Sequence, residues 1–175
     1  KYINLQYRLV HRLDKETSGL LIIAKNLNYA KKLSFLFKQK EISKFYIAIC
    51  EGIPKNNVSQ IKLEIKTKKL KTEDTLTNYK VLNKNKSISS ILFNPHTGKT
   101  HQLRIVSKNL GCPIVGDNKY NAYSKYTKEN LMLHAFALRF TIDKKKFEFI
   151  SNLPENFINF IKKNNLKINK NLKNY

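Results

Sequence analysis

Apolar residues recur along this chain with two different periods, and the switch between them marks its elements. Over 28–39, NYAKKLSFLFKQ, Ala30, Leu33 and Phe37 fall at i, i+3 and i+7, with Lys31, Lys32 and Lys38 on the other side. That stripe predicts an amphipathic helix. The run LLIIA at 20–24 follows the turn-prone Thr17-Ser18-Gly19 and predicts a buried strand entered from a loop. Residues 42–50, ISKFYIAIC, are rich in Ile, Phe and Tyr and stop at Glu51-Gly52-Ile53-Pro54, which predicts a strand with Tyr46 at its middle.

Between Lys55 and Lys86 the alternating IKLEIK and TNYKVL predict half-exposed antiparallel strands, and SISSILF (87–93) predicts another, broken at Asn94-Pro95. Helical spacing returns over 100–110, where Leu103, Val106 and Leu110 repeat and Gly111 supplies a stop. A short turn-bounded segment, Pro113 to Asp117, comes next. LMLHAFALRFTI (131–142) predicts a strand pair or a bulged strand, and FEFI follows a lysine turn. Pro154-Glu155 opens a last helix through Phe157, Ile158 and Ile161, and NNLKINKNLKNY closes the chain as a frayed tail. No repeat or linker divides the sequence.

Length then limits the reading to one domain, since 175 residues bury a full core without disulfide staples. No apolar run approaches the ~18 residues of a membrane-spanning helix, and KYINLQY at the start lacks the apolar core of a signal peptide. Cys50 and Cys112 match no metal or redox spacing and are expected to be small buried hydrophobes in a reducing compartment. The net charge of +22 favours a polyanionic partner. Much of it is a chain-wide habit: 30 Lys and 21 Asn stand against 4 Arg. The scarce arginines, Arg8, Arg12, Arg104 and Arg139, carry more information, because lysine cannot replace a planar guanidinium at a bidentate or stacked site.

Two chemical readings fail on spacing. TGKT at 97–100 ends like a phosphate-cradling loop, but the glycine required five positions before Gly98 is Phe93. His11, His96, His101 and His134 are scattered with no carboxylates clustered round them, so no metal site is expected. HRLDKETSG (11–19) is more suggestive. Asp14 stands beside Arg12 in a loop that leads into a buried strand, and an ionised carboxylate is a nucleophile that needs no activating base. Read alone, the same residue is a surface carboxylate that caps a turn, and Tyr46 and Arg104 are a core aromatic and a helix-surface cation.

The segments together say more. HRLDKETSGLLIIAKN (11–26), KFYIAICEG (44–52), TGKTHQLR (97–104), GCPIVGDNKY (111–120) and LMLHAFALRF (131–140) resemble, in order and spacing, the signature blocks of the RluA-type RNA pseudouridine synthases. The resemblance runs from about residue 8 to about residue 157. It implies an α+β fold, a mixed and mainly antiparallel sheet with flanking helices, in a catalytic domain spanning 1–165 with a tail at 166–175. It also implies that strands normally preceding HRLD are missing, so the chain is expected to be an N-terminally truncated fragment.

Carried over residue by residue, the resemblance makes Asp14 the catalytic aspartate, Tyr46 the tyrosine that packs on a flipped base, and Arg104 the basic group paired with that aspartate. Arg12 would enter the base stack where the uridine has left it, and Leu103 would wall the pocket. Lys99, Thr100 and His101 are expected to contact substrate. Lys99 departs from the arginine usual in this family, and Val106 from a frequent histidine. The implied activity is isomerisation of uridine to pseudouridine in structured RNA, ribosomal RNA before transfer RNA. It needs no cofactor, no metal, no membrane and no obligate protein partner, and its expected setting is the cytoplasm or an organellar matrix. The competing expectation is an inactive RNA-binding fragment that keeps the charge without a closed site.

Overall fold

A computed structural model describes residues 6–66 and 71–166 of the chain. The frayed tail expected from Asn164 onward lies, but for Asn164, Asn165 and the buried Leu166, which close the last helix, outside the described residues. The elements run β1 (Arg8–Leu9), β2 (Ser18–Gly19), β3 (Ile23–Ala24), α1 (Leu27–Lys38), β4 (Ser43–Glu51), β5 (Val58–Lys66), β6 (Thr72–Lys84), β7 (Ile88–Pro95), α2 (Gln102–Asn109), β8 (Leu133–Ile142), β9 (Lys145–Ile150) and α3 (Glu155–Lys163). Seven strands form one sheet in the order β2-β8-β4-β7-β6-β5, with β9 added to β8. The β2–β8 pair is parallel and the other pairs in that sheet are antiparallel, so the α+β expectation holds.

Strands β4, β7 and β8 lie in the middle of the sheet because their side chains are apolar on both faces. Ile47, Ala48, Ile49 and Cys50 of β4 and Ile91 and Phe93 of β7 are wholly buried. Strand β5 alternates instead between exposed and sheltered positions, as its sequence predicts for an outer strand. Helix α1 starts where the Asn26 side chain accepts the Tyr29 N–H at 3.0 Å, an N-cap, and buries Ala30, Leu33 and Leu36. Helix α2 buries Leu103, Arg104 and Val106. Cys50 and Cys112 are free and buried, as expected.

Three sequence expectations need correction. LLIIA is not one buried strand. Ser18–Gly19 and Ile23–Ala24 belong to different sheets, and Leu21 and Ile23 are exposed. Five apolar residues contain no record of a chain crossing from one sheet to another. Asn94-Pro95 does not break β7 either: Pro95 is its last residue, opposite Thr77, since a strand end tolerates a missing N–H. In α3 the buried stripe is Phe157, Phe160 and Ile161, whereas Ile158 is exposed. Of the two forms expected over 131–142, the bulged strand holds, at Leu133–Ile142: Phe45 faces Ala137 while Tyr46 faces Ala135, so Phe136 is the extra residue.

One transverse row of the sheet fixes the site. Gly19 of β2 pairs with Ala135 of β8, which pairs with Tyr46 of β4, which pairs with Phe93 of β7. The loop carrying Asp14 thus enters the sheet five residues later, in register with Tyr46. Gly19 is required there. At φ +107°, a Cβ would stand 2.3 Å from the Ala135 carbonyl oxygen.

Candidate active site

The loop from Val10 to Ser18 is anchored through its backbone and its ends. The Thr17 N–H donates to the Asp14 carbonyl at 2.9 Å, closing a tight turn over Lys15 and Glu16. The Ile22 N–H donates to His11 Nε2 at 2.8 Å, and the His11 ring stacks on Phe37 with centroids 4.5 Å apart. Burial and the neighbouring Lys44 lower the His11 pKa to about 4, so the imidazole stays neutral and keeps Nε2 as an acceptor. Ser18 Oγ meets His134 Nδ1 at 2.9 Å at the entry to the sheet. The Asp14 carboxylate has no hydrogen bond or ion pair among the described residues.

Opposite this loop stands the turn before α2. Gln102 is buried, and its Oε1 accepts the Thr97 hydroxyl at 2.8 Å and the Lys99 N–H at 3.0 Å, while its Nε2 donates to Thr77 Oγ1 at 3.0 Å. Thr97 Oγ1 also accepts the Leu76 N–H at 3.2 Å. The TGKT turn is thus tied to β6, and its Lys99 N–H is spent on Gln102 rather than left to cradle phosphate. Spacing had excluded that role, and the hydrogen bonding supplies the reason.

Between loop and turn lies a cleft of about 460 Å3. Asp14, Tyr46, Arg12, Leu103, His101 and Lys99 all line it. Burial, with a smaller contribution from Asp14, pushes the Tyr46 hydroxyl up to about 12, which keeps it a neutral phenol. Arg12 is exposed at the rim, and Lys38, Lys40 and Lys44 add positive charge to the wall. Burial, helped by Lys40, lowers the pKa of Lys44, whose Nζ reaches the Thr97 carbonyl at 3.3 Å. Lys99 faces the cleft but also pairs with Glu73 at 2.9 Å. Thr100 is exposed and does not line the cleft.

Arg104 departs from its expected pairing. Its guanidinium is buried and binds Asp117, Nε to Oδ2 at 2.8 Å and Nη2 to Oδ1 at 2.6 Å, a two-point bond made away from Asp14. Asp117 Oδ1 also accepts the Lys119 and Tyr120 N–H groups at 3.1 and 3.0 Å. Arg104 still feels Asp14 at longer range, though its own hydrogen bond to Asp117 dominates in raising its pKa. The spacing of HRLD and THQLR could not foresee this competitor, which lies in the PIVGD block. Gln102 and Tyr120 also went unassigned from sequence, although both sit inside quoted blocks, because a glutamine or a tyrosine carries no signal until its partners are known.

A loop carboxylate, a strand tyrosine and a helix leucine round one basic cleft define a class of fold and site. The family model for RNA pseudouridylate synthase matches residues 2–109. Ribosomal large subunit pseudouridine synthase C of Rickettsia prowazekii is 42% identical over 176 residues, covering 88% of this chain and 57% of that protein. Ribosomal large subunit pseudouridine synthase D of Borreliella burgdorferi is 36% identical over 167 residues, covering 87% and 51% respectively. A solved structure, human RNA pseudouridylate synthase domain containing 4, superposes with a TM-score of 0.84 at 25% identity over 93% of this chain and 77% of that one. This chain belongs to the RNA pseudouridylate synthase family. It spans little more than half the length of these two bacterial relatives.

Proposed function

We propose that this chain isomerises specific uridines of structured RNA to pseudouridine, with ribosomal RNA as the substrate. The observation that carries the reading is the convergence of Asp14, Tyr46, Arg12 and Leu103 on one cationic cleft in a chain of this family. The names of its bacterial relatives support ribosomal RNA as the target. In this reading the N1–C1′ glycosidic bond breaks, uracil turns in the cleft, and C5 bonds to C1′. The C5 proton leaves to water and N1 takes one up, so substrate and product have equal mass.

Each residue has a physical task. A base inside a helix is out of reach, and extruding it costs a few kcal/mol of stacking. The Arg12 guanidinium at the rim fills the vacated stack, and Tyr46 offers a flat face to the extruded ring. Leu103 excludes water from one side, and Asp14 presents an unpaired carboxylate to the sugar or the base. Lys99 and His101 contact the flanking RNA or the base, and Lys38, Lys40 and Lys44 attract its phosphates. Among the described residues no helix is long and apolar enough to cross a membrane. The place of action that fits the substrate is the compartment of the ribosome.

RNA carrying tritium at uridine C5 tests the reading, because bond formation at C5 releases that label. The expected result is release by the chain and a loss of at least about a thousandfold with Asp14→Asn. No release from total RNA by the unmutated protein overturns the reading in favour of the RNA-binding fragment. Equal release by both proteins removes Asp14 from its role.

A further inference from the structure

His101 occupies an unusual backbone position for an imidazole. It precedes α2 in the left-handed region at φ 56°, a conformation that costs a non-glycine residue about 1 kcal/mol or more. That conformation sets its ring against the cleft wall, where Nδ1 lies 3.0 Å from the Tyr120 hydroxyl and the two rings meet edge-on at 5.7 Å. Among the described residues Nε2 has no hydrogen-bond partner. Tyr120 is itself held fast. Its N–H donates to Asp117 Oδ1, the Arg104 guanidinium lies 5.2 Å from its ring centroid, and Lys119 Nζ lies 5.5 Å away.

Burial and the positive charges of Arg104 and Lys119 outweigh Asp14 and Asp117 and lower the His101 pKa, so the ring is neutral near pH 7. A neutral imidazole has one donor nitrogen and one acceptor nitrogen. Burial raises the Tyr120 pKa, so its oxygen carries a proton. Nδ1 is the one hydrogen-bond partner of that hydroxyl among the described residues. If Nδ1 were the donor, the phenol proton would be left with no protein acceptor in a half-buried site.

We propose that Tyr120 is a positioning residue that donates to His101 Nδ1, fixes the imidazole as its Nε2–H tautomer, and so aims one N–H donor at an acceptor oxygen of the nucleotide in the cleft. The tautomer end of the claim rests on the Tyr120–His101 geometry with a neutral imidazole and a protonated phenol, and the substrate end rests on the uridine-isomerising reading. Asp117 then serves two residues at once, gripping Arg104 with its carboxylate and seating Tyr120 through the backbone. The imidazole donor and the Asp14 carboxylate share the cleft with opposite hydrogen-bonding character.

Nitrogen-15 NMR of histidine-labelled protein tests the tautomer directly, with the His101 signals identified by their loss in His101→Asn. The expected spectrum has a bare Nδ1 and a protonated Nε2, and Tyr120→Phe converts it to a mixture of tautomers. In tritium release, Tyr120→Phe lowers kcat about tenfold, the scale of one misdirected hydrogen bond. His101→Asn suits the left-handed backbone but lacks Nε2, so in that background Tyr120→Phe causes no further loss. A protonated Nδ1 in the unmutated protein overturns the proposal, as does a tautomer unaltered by Tyr120→Phe. An additional loss in the His101→Asn background assigns Tyr120 another role and overturns it too. If the unmutated protein releases no tritium, the uridine-isomerising reading fails, while the spectrum still decides the tautomer.

Discussion

Asp14 lines the cleft and Arg104 lies buried behind its wall, one residue after the lining Leu103, and the two are held in opposite ways. The Asp14 loop is secured by its backbone and its neighbours, through Thr17 N–H, His11 and Ser18, and its carboxylate is left without a partner among the described residues. Arg104 is secured by its own charged end, with two bonds to a buried carboxylate that also gathers two backbone N–H groups. The difference separates scaffold from reagent. A carboxylate committed to a two-point guanidinium bond is stabilised as it stands and has little to offer an incoming atom. This fold commits Asp117 to that bond and keeps Asp14 unspent.

The largest test of the contrast removes each acid in turn. Asp117→Ala leaves the Arg104 charge buried and unpaired, so denaturant unfolding should show a loss of about 3–5 kcal/mol. Asp14→Asn should change stability by no more than about 0.5 kcal/mol. Equal losses would abolish the distinction between the two acids. Next in size is Gly19→Ala, which drives a Cβ into the Ala135 carbonyl at a left-handed backbone position. It should cost about 2–4 kcal/mol and disturb Asp14 by loosening β2 from β8. An unchanged melting temperature would show that the β2–β8 bridge does not hold the loop.

His11→Phe keeps an aromatic ring to stack on Phe37 but strands the Ile22 N–H. The expected loss is about 1–2 kcal/mol, with amide exchange at Ile22 accelerated, and an unaltered exchange rate would remove His11 as an anchor. Spread over a range of pH rather than produced by one substitution is the effect of the two anchoring histidines. Burial holds both His11 and His134 at about 4 in the folded chain, below the ordinary 6.5, so the unfolded chain binds more protons between those values. Stability from each is therefore fully present above pH 6.5 and lost as pH falls toward 4. Unfolding midpoints measured across that window should rise with pH, and His134→Gln should flatten the rise.

Much of this was legible in the chain. The period of 3.6 in NYAKKLSFLFKQ and the Ile-rich ISKFYIAIC mark α1 and β4 because each must bury one stripe or both faces, a demand written in local order. The blocks HRLD, KFYIA and THQLR pointed to Asp14, Tyr46 and Leu103, and the fold brings them to one cleft. LLIIA was misread because a run of apolar residues looks alike whether it stays in one sheet or crosses between two. Ile158 was misread because Phe160, one residue before Ile161, completes the buried face as well as Ile158 would.

Sequence alone therefore determined most element types, the sheet class and six residues of the cleft, Arg12, Asp14, Tyr46, Lys99, His101 and Leu103, since these depend on side-chain period, block spacing and residue chemistry. Only the tertiary structure decided the pairings. Whether Arg104 meets Asp14 or Asp117 depends on which carboxylate the turn after Gly116 brings within 3 Å, and whether His101 exposes Nδ1 or Nε2 depends on a tyrosine 19 residues away. Hydrogen bonds and ion pairs are decided over a few tenths of an ångström, and that precision arises when separate strands and turns pack together.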